Sequence, residues 1–215
     1  MNGLLLDGLE VRRGSDLLVR LDAQVSAGEI LTIMGPSGSG KSTALAAILG
    51  TLSVDFVRAG RVLLDGRDVT GLPTHRRGIG LLFQDDILFP HLSVGGNLAF
   101  ALPASVRGQA RKAAVDAALA SADLDGFSDR DPATLSGGQR ARVALMRTLL
   151  ARPGALLLDE PFARLDTALR GRIRAFVFGR IRAEGLPAIL VTHDADDVRD
   201  AGGRVIDPLG RAISA

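Results

Sequence analysis

Nine residues, GPSGSGKST at Gly35 to Thr43, restrict this chain more than any other stretch. They fit the phosphate-loop pattern of glycine, four residues, then Gly-Lys-Ser. Gly38 and Gly40 let the backbone turn tightly, so that successive N–H groups converge on an anion, and the N-terminus of the following helix adds to the field. Such a loop needs a strand before it and a helix after it. ILTIM (Ile30 to Met34) is a short apolar run that reads as a buried strand, and STALAAILG has helical spacing with Gly50 as its stop. The chain is otherwise rich in arginine and has only two lysines, Lys41 and Lys112. A compact ammonium at position 41 suits a phosphate, and a planar guanidinium would not fit the same space. On this reading Gly35, Pro36, Ser37, Gly38, Ser39, Gly40 and Lys41 cradle the phosphates of a nucleotide. Lys41 bridges the β- and γ-phosphates, Ser42 ligates Mg2+, and Thr43 reaches the α-phosphate.

Further strands are expected at GRVLLDG, GIGLLF, ALLLD and PAILVT, the last two nearly continuous apolar runs of the kind found in parallel sheets covered on both faces. LLLDGLEV and LVRLDAQV alternate in part and predict an antiparallel sheet beside the parallel core. Between Asp85 and Gly154, ARKAAVDAALASADL and GGQRARVALMRTLLA have helical spacing, with Pro103, Pro132 and Pro153 as punctuation. The expected class is therefore α/β: a catalytic core with a β-subdomain over residues 1–84 and 155–215, and an inserted helical subdomain over 85–154.

With 215 residues, 47% hydrophobic and 23% charged, the chain is composed like one globular domain. It has no cysteine, which excludes disulfides and cysteine-ligated zinc. The N-terminal apolar run is broken by Asp7 and Glu10 and does not read as a signal peptide, and no apolar run approaches the ~20 residues of a membrane-spanning helix. The 26 basic side chains are interspersed with 24 acidic ones for a net charge of +2, which is no footprint for nucleic acid. His75 and His91 lack partners at ligand spacing and read as surface residues. The arginines from Arg164 to Arg182 read as a solvated helical face.

ALLLDEP (Ala155 to Pro161) supplies two acids at the end of a buried strand. Asp159 is placed to hold magnesium through water, and Glu160 to orient and polarise an attacking water. A second glycine loop, LSGGQ at Leu135 to Gln139, is more than one nucleotide requires. Lying between the phosphate loop and LLLDEP, it resembles the signature of ATP-binding-cassette (ABC) ATPases. The other landmarks follow in that family's order: Gln84 in LLFQD, ARLD at Ala163 to Asp166, and His193 in VTHD. The resemblance covers nearly the whole chain.

It implies a P-loop NTPase fold with a RecA-like parallel core, and two copies packed head to tail. The signature of one copy, Ser136, Gly137, Gly138 and Gln139, then covers the γ-phosphate held by the other, with Asp166 at the dimer interface. Glu160 positions water, His193 contacts the γ-phosphate, and Gln84 joins Ser42 and Asp159 around the metal. The segment FQDDILFPHLSVGGNLAF resembles importer cassettes, in which Leu88, Phe89, Pro90 and Leu92 would line a groove for a membrane permease subunit near Gln84. A solute-binding protein is then expected in the complex, with the ATPase peripheral on the cytoplasmic face of the inner membrane. The likeness extends to importers of iron, sulfate, polyamines and thiamine, and is greatest to an uncharacterised, thiamine-importer-like bacterial cassette. The rival expectations are a soluble mechanical ATPase acting on nucleic acid or ribosomes, a small-molecule phosphoryl transferase, and an exporter. Three departures stand out. Neither Tyr nor Trp is present to stack on adenine, leaving Arg12 or Arg13 nearest in register; Ala163 replaces a usual serine; and no C-terminal regulatory domain is expected after RVIDPLGRAISA.

Overall fold

The computed structural model describes residues 3–83 and 87–213. Two compact units emerge, one from residues 1–81, 154–160 and 178–215, the other from 82–153 and 161–177.

The first unit contains two sheets. Strands β1 (Gly3–Arg13) and β2 (Asp16–Ser26) form an antiparallel pair, extended by β4 (Val57–Leu64) and β5 (Arg67–Asp68) in the order β2-β1-β4-β5. Alternation does what the sequence suggests: Leu4, Leu6, Leu9 and Val11 of β1, with Val19, Leu21 and Val25 of β2, are fully buried on one face. The second sheet runs in the order β6-β7-β8-β3-β9. It comprises β3 (Ile30–Met34), β6 (Ile79–Leu82), β7 (Ala155–Asp159), β8 (Ala188–Thr192) and β9 (Val205–Ile206). Its β7, β8, β3 and β9 are parallel neighbours, and β7 and β8 are apolar and buried almost throughout, because side chains on both faces of a parallel sheet are covered. Helix α1 (Lys41–Leu49) packs with both sheets in one core that joins Leu6, Leu21, Ile33, Ile48, Leu157 and Ile189. It ends as expected at Gly50, whose φ of 78° permits the left-handed cap and whose N–H donates to the Ala46 carbonyl.

The last carbonyls of α1 are closed by a residue from elsewhere in the chain. Arg77 is 4% exposed, and its guanidinium donates to Ala47 and Ile48 at 3.3 and 2.7 Å and to Leu72 and Thr70 at 2.9 and 2.6 Å. A positive charge at a helix C-terminus is favourable, and here it also ties the phosphate-loop helix to the segment leading into β6. Burial lowers the Arg77 pKa, a cost offset by the four carbonyl acceptors. Arg77→Met is expected to lower the thermal midpoint by about 10 °C in a melting experiment, reflecting about 3 kcal/mol lost with those bonds.

The second unit is helical. It holds α2 (Val94–Ala101), α3 (Gly108–Ser121) and α4 (Gly137–Leu150) around Val94, Leu98, Val115, Leu119, Val143 and Met146. Helix α5 (Thr167–Ala183) begins in this part of the chain, and α6 (Ala195–Ala201) follows β8. Of the arginines expected to form a solvated helical face, Arg172 is exposed on α5 and Arg164 is exposed in the stretch before that helix. Arg182 is exposed but donates to the Asp200 and Ala201 carbonyls, and Arg174 is buried at 6% exposure. It neighbours Ile173 and Val177, which turn the same side of α5 inward. His75 and His91 are exposed, as expected.

Candidate functional site

The loop between β3 and α1 places the predicted phosphate cradle at the carboxyl end of a buried strand. Gly38 has φ of 78° and Gly40 of 104°; at Gly40 a Cβ would also stand 2.7 Å from the Leu18 carbonyl oxygen, so no other residue fits there without strain. Lys41 is 6% exposed, and its Nζ donates to the carbonyls of Gly35 and Pro36 at 2.8 and 2.9 Å. A cavity of about 180 Å³ is lined by Ser37, Gly38, Gly40, Lys41, Ser42, Thr43 and Glu160. The Ser39 hydroxyl in the same loop is buried and meets no hydrogen-bond partner among the described residues, a polar atom suited to an arriving oxyanion.

β7 ends at the two acids: Asp159 is its last residue, and Glu160, the next, lines this cavity. Glu160 follows the strand with φ of 45°, an uncommon left-handed conformation for a residue with a side chain, and its N–H donates to the Val191 carbonyl at 2.9 Å. Its carboxylate lies 4.0 Å from Lys41 Nζ and 3.2 Å from His193 Nδ1. Lys41 and His193, 152 positions apart in the chain, thus both meet Glu160. The pKa of Asp159 is raised, first by burial and then by the charge of Glu160, with Lys41 opposing. Asp159 and Glu160 are adjacent carboxylates, and Ser42 lines the same cavity as Glu160; these are oxygen donors of the kind a hard divalent cation takes. Among the described residues no three His, Cys, Asp or Glu side chains group to hold a metal by themselves, so the donor set fits a cation that arrives with phosphate oxygens.

Arg12 pairs with Glu10 at 3.7 Å, while the Arg13 guanidinium lies 5.8 Å from the centre of the Phe56 ring, an aromatic that the sequence reading passed over.

In the helical unit, LSGGQ forms the start of α4. Ser136 is the N-cap: its Oγ accepts from the Gln139 N–H at 3.3 Å, and the Gln139 side chain accepts from the Ser136 N–H at 2.9 Å, a complete capping box. Ser136 is exposed, with Gly137 half-buried beside it. The two glycines differ in kind. A Cβ at Gly137 would make ordinary contact, 3.6 Å from Leu165 Cδ2, whereas at Gly138 it would come within 2.5 to 3.0 Å of three Leu169 atoms. Gly138→Ala is therefore expected to cost about 1–3 kcal/mol, and Gly137→Ala to leave the melting temperature nearly unchanged; paired thermal denaturation curves check both. Asp166 is exposed and caps α5 by accepting from the Leu169 N–H at 2.9 Å.

Gln84 lies outside the described residues. The segment after it is anchored by Asn97, which is fully buried and bonds the Phe89 N–H and the carbonyls of Phe89, Leu92 and Ser93. Phe89 meets Phe100 edge to face at 4.8 Å, and Arg147 lies 5.3 Å from its ring centre. Phe83, Ile87 and Phe100 are 46%, 53% and 65% exposed, leaving apolar surface beside this segment.

Known proteins resemble this chain in sequence. The chain is 52% identical over 193 residues to an uncharacterised ABC transporter ATP-binding protein, YnjD, of Escherichia coli, covering 90% of this chain and 88% of that one. It is 43% identical to the spermidine/putrescine import ATP-binding protein PotA of Frankia alni and to the Fe(3+) ions import ATP-binding protein FbpC of Streptomyces coelicolor. Those alignments take in 86% and 94% of this chain but 40% and 58% of the relatives, so the chain spans about half the length of these two importer proteins. The family model for ABC transporters matches residues 18–163, from β2 through the phosphate loop and signature to the residues after Glu160. A family match over most of the chain, together with a relative half identical along nearly its whole length, shows that this chain belongs to the ABC transporter family, as an ATP-binding domain.

Proposed function

We propose that the chain is the ATP-hydrolysing subunit of a membrane importer. The observation that carries the reading is that Glu160, which lines the phosphate-loop cavity with Lys41, meets both Lys41 and His193. Gly35 to Thr43 bind the phosphates, with Lys41 turning from its carbonyl partners toward the β- and γ-oxygens. Ser42, Asp159 and Gln84 are the residues that would hold the Mg2+ accompanying ATP, which would supply neutralisation of phosphate charge. Glu160 accepts a hydrogen bond from the attacking water and orients it, while His193, against the same carboxylate, contacts the γ-phosphate.

The exposed N-terminus of α4 supports the second half of the reading. Ser136, Gly137, Gly138 and Gln139 present a helix N-terminus to an anion, and in a head-to-tail homodimer they cover the γ-phosphate in the other subunit's loop, with Asp166 beside them. No helix among the described residues is long and apolar enough to cross a membrane. The apolar surface around Phe89, within the Gln84 to Leu92 segment, is the docking site for an integral membrane permease. Attachment there makes the protein peripheral on the cytoplasmic face, in a complex that includes a solute-binding protein. The importer names of the relatives, which include sulfate/thiosulfate and molybdenum import as well as spermidine/putrescine and Fe(3+), support import.

A native pull-down in mild detergent tests the reading. The expected result is stoichiometric recovery of a multi-spanning membrane protein, lost when Phe89 and Phe100 are both changed to Asp. Recovery only with ribosomes or nucleic acid would overturn it.

A further inference from the structure

The side chain of His193 is 62% exposed, so packing does little to fix it, and its place beside Glu160 depends on the backbone that carries it. That backbone is closed by one hydroxyl. Thr192, at the end of β8, is 1% exposed; its Oγ1 donates to Asp197 Oδ2 at 2.8 Å and accepts from the Asp194 N–H at 3.0 Å. Asp197 is 3% exposed in the first turn of α6, and the Asp194 carboxylate caps that helix by accepting from the Asp196 N–H at 2.8 Å. The turn from 192 to 197 is therefore closed around His193 by a bond to a buried carboxylate, stronger than a neutral pair and sheltered from competing water. On the other side, Val191 receives the Glu160 N–H. Two consecutive residues of β8 thus hold the two partners: Val191 holds the backbone of Glu160, and Thr192 holds the turn bearing His193.

We propose that Thr192 is a positioning residue for ATP hydrolysis, its hydroxyl bridging Asp197 and Asp194 so that the His193 ring stands against the Glu160 carboxylate. The proposal rests on the reading of Glu160 and His193 as the hydrolytic pair. A displacement of about 1 Å at a reacting group costs up to about a hundredfold in rate, so a loosened turn acts on kcat.

The test uses the purified full chain. Thr192→Val exchanges hydroxyl for methyl at nearly constant volume. Its kcat is expected to fall about tenfold with the ATP KM within about twofold of the parent, and Thr192→Ser to recover most of the loss. In a His193→Ala background, Thr192→Val lowers kcat no further, because the residue acts through the ring that is already gone. Since the chain has three histidines, the NMR ring signal missing from His193→Ala identifies His193 in the parent. In Thr192→Val that signal moves, while those of His75 and His91 stay and report an intact fold. Parent-like kcat, a loss that adds to that of His193→Ala, or an unmoved His193 signal overturns the proposal. Should Thr192→Val not fold, Thr192→Ala, which removes the hydroxyl without placing a methyl in its position, is judged by the same three readouts. A His193→Ala protein with parental kcat would instead remove the hydrolytic pair, and the ring signal would still show whether Thr192 holds that side chain.

Discussion

Glu160→Gln is expected to bind ATP as tightly as the parent and to hydrolyse it at least about a hundredfold more slowly, the magnitude typical of a lost general base. The amide keeps the shape and the bond to the backbone but accepts a proton poorly. The substitution also removes the negative charge 4.0 Å from Lys41 and 3.2 Å from His193, so binding of an anionic nucleotide is not weakened and the ATP-bound dimer accumulates. Phosphate release measured beside fluorescent-nucleotide titration and sedimentation separates the three consequences. A variant that turns over at the parental rate would remove Glu160 from the chemistry.

Lys41→Arg is expected to weaken ATP binding about a hundredfold or more, though the charge is preserved. The ammonium sits at 6% exposure with carbonyl oxygens at 2.8 and 2.9 Å, a space shaped for one nitrogen. A planar guanidinium brings three nitrogens and a different reach, so it either disrupts the Gly35–Pro36 turn or fails to place its charge between two phosphates. Titration with a fluorescent ATP analogue checks this, and affinity within about threefold of the parent would show that charge alone suffices at position 41.

The parts of the site legible in the sequence were those in which one short segment contains its own explanation. GPSGSGKST specifies the backbone path, the cation and the flanking elements together, and LSGGQ specifies a capped helix start. Alternation in LLLDGLEV and continuous apolarity in ALLLD separated the antiparallel sheet from the parallel one because the two sheets bury one face and two faces. The parts that were not legible depend on which partners the fold supplies, near or far along the chain. Arg77 sits in PTHRRGIG, where three basic residues suggest solvent, yet its carbonyl acceptors Ala47 and Ile48 lie about thirty residues earlier. Arg174 sits within an arginine-rich helix, and only helical phase against a buried face separates it from its exposed neighbours. Thr192 looked like one more β-branched strand residue, since only folding delivers Asp197 to its hydroxyl.

The left-handed backbone of Glu160 bears on how a cassette of this kind would decay over evolutionary time. A glycine there relieves backbone strain of about 1 kcal/mol, and asparagine or aspartate tolerates the same φ better than most residues. On the role proposed for Glu160, changes that extinguish hydrolysis are therefore among those the fold accepts most easily. In a lineage no longer selected for turnover, this position would drift early while the rest of the domain kept its shape, leaving a folded, nucleotide-binding relic. Selection for catalysis must hold glutamate in place against a gradient that favours its loss.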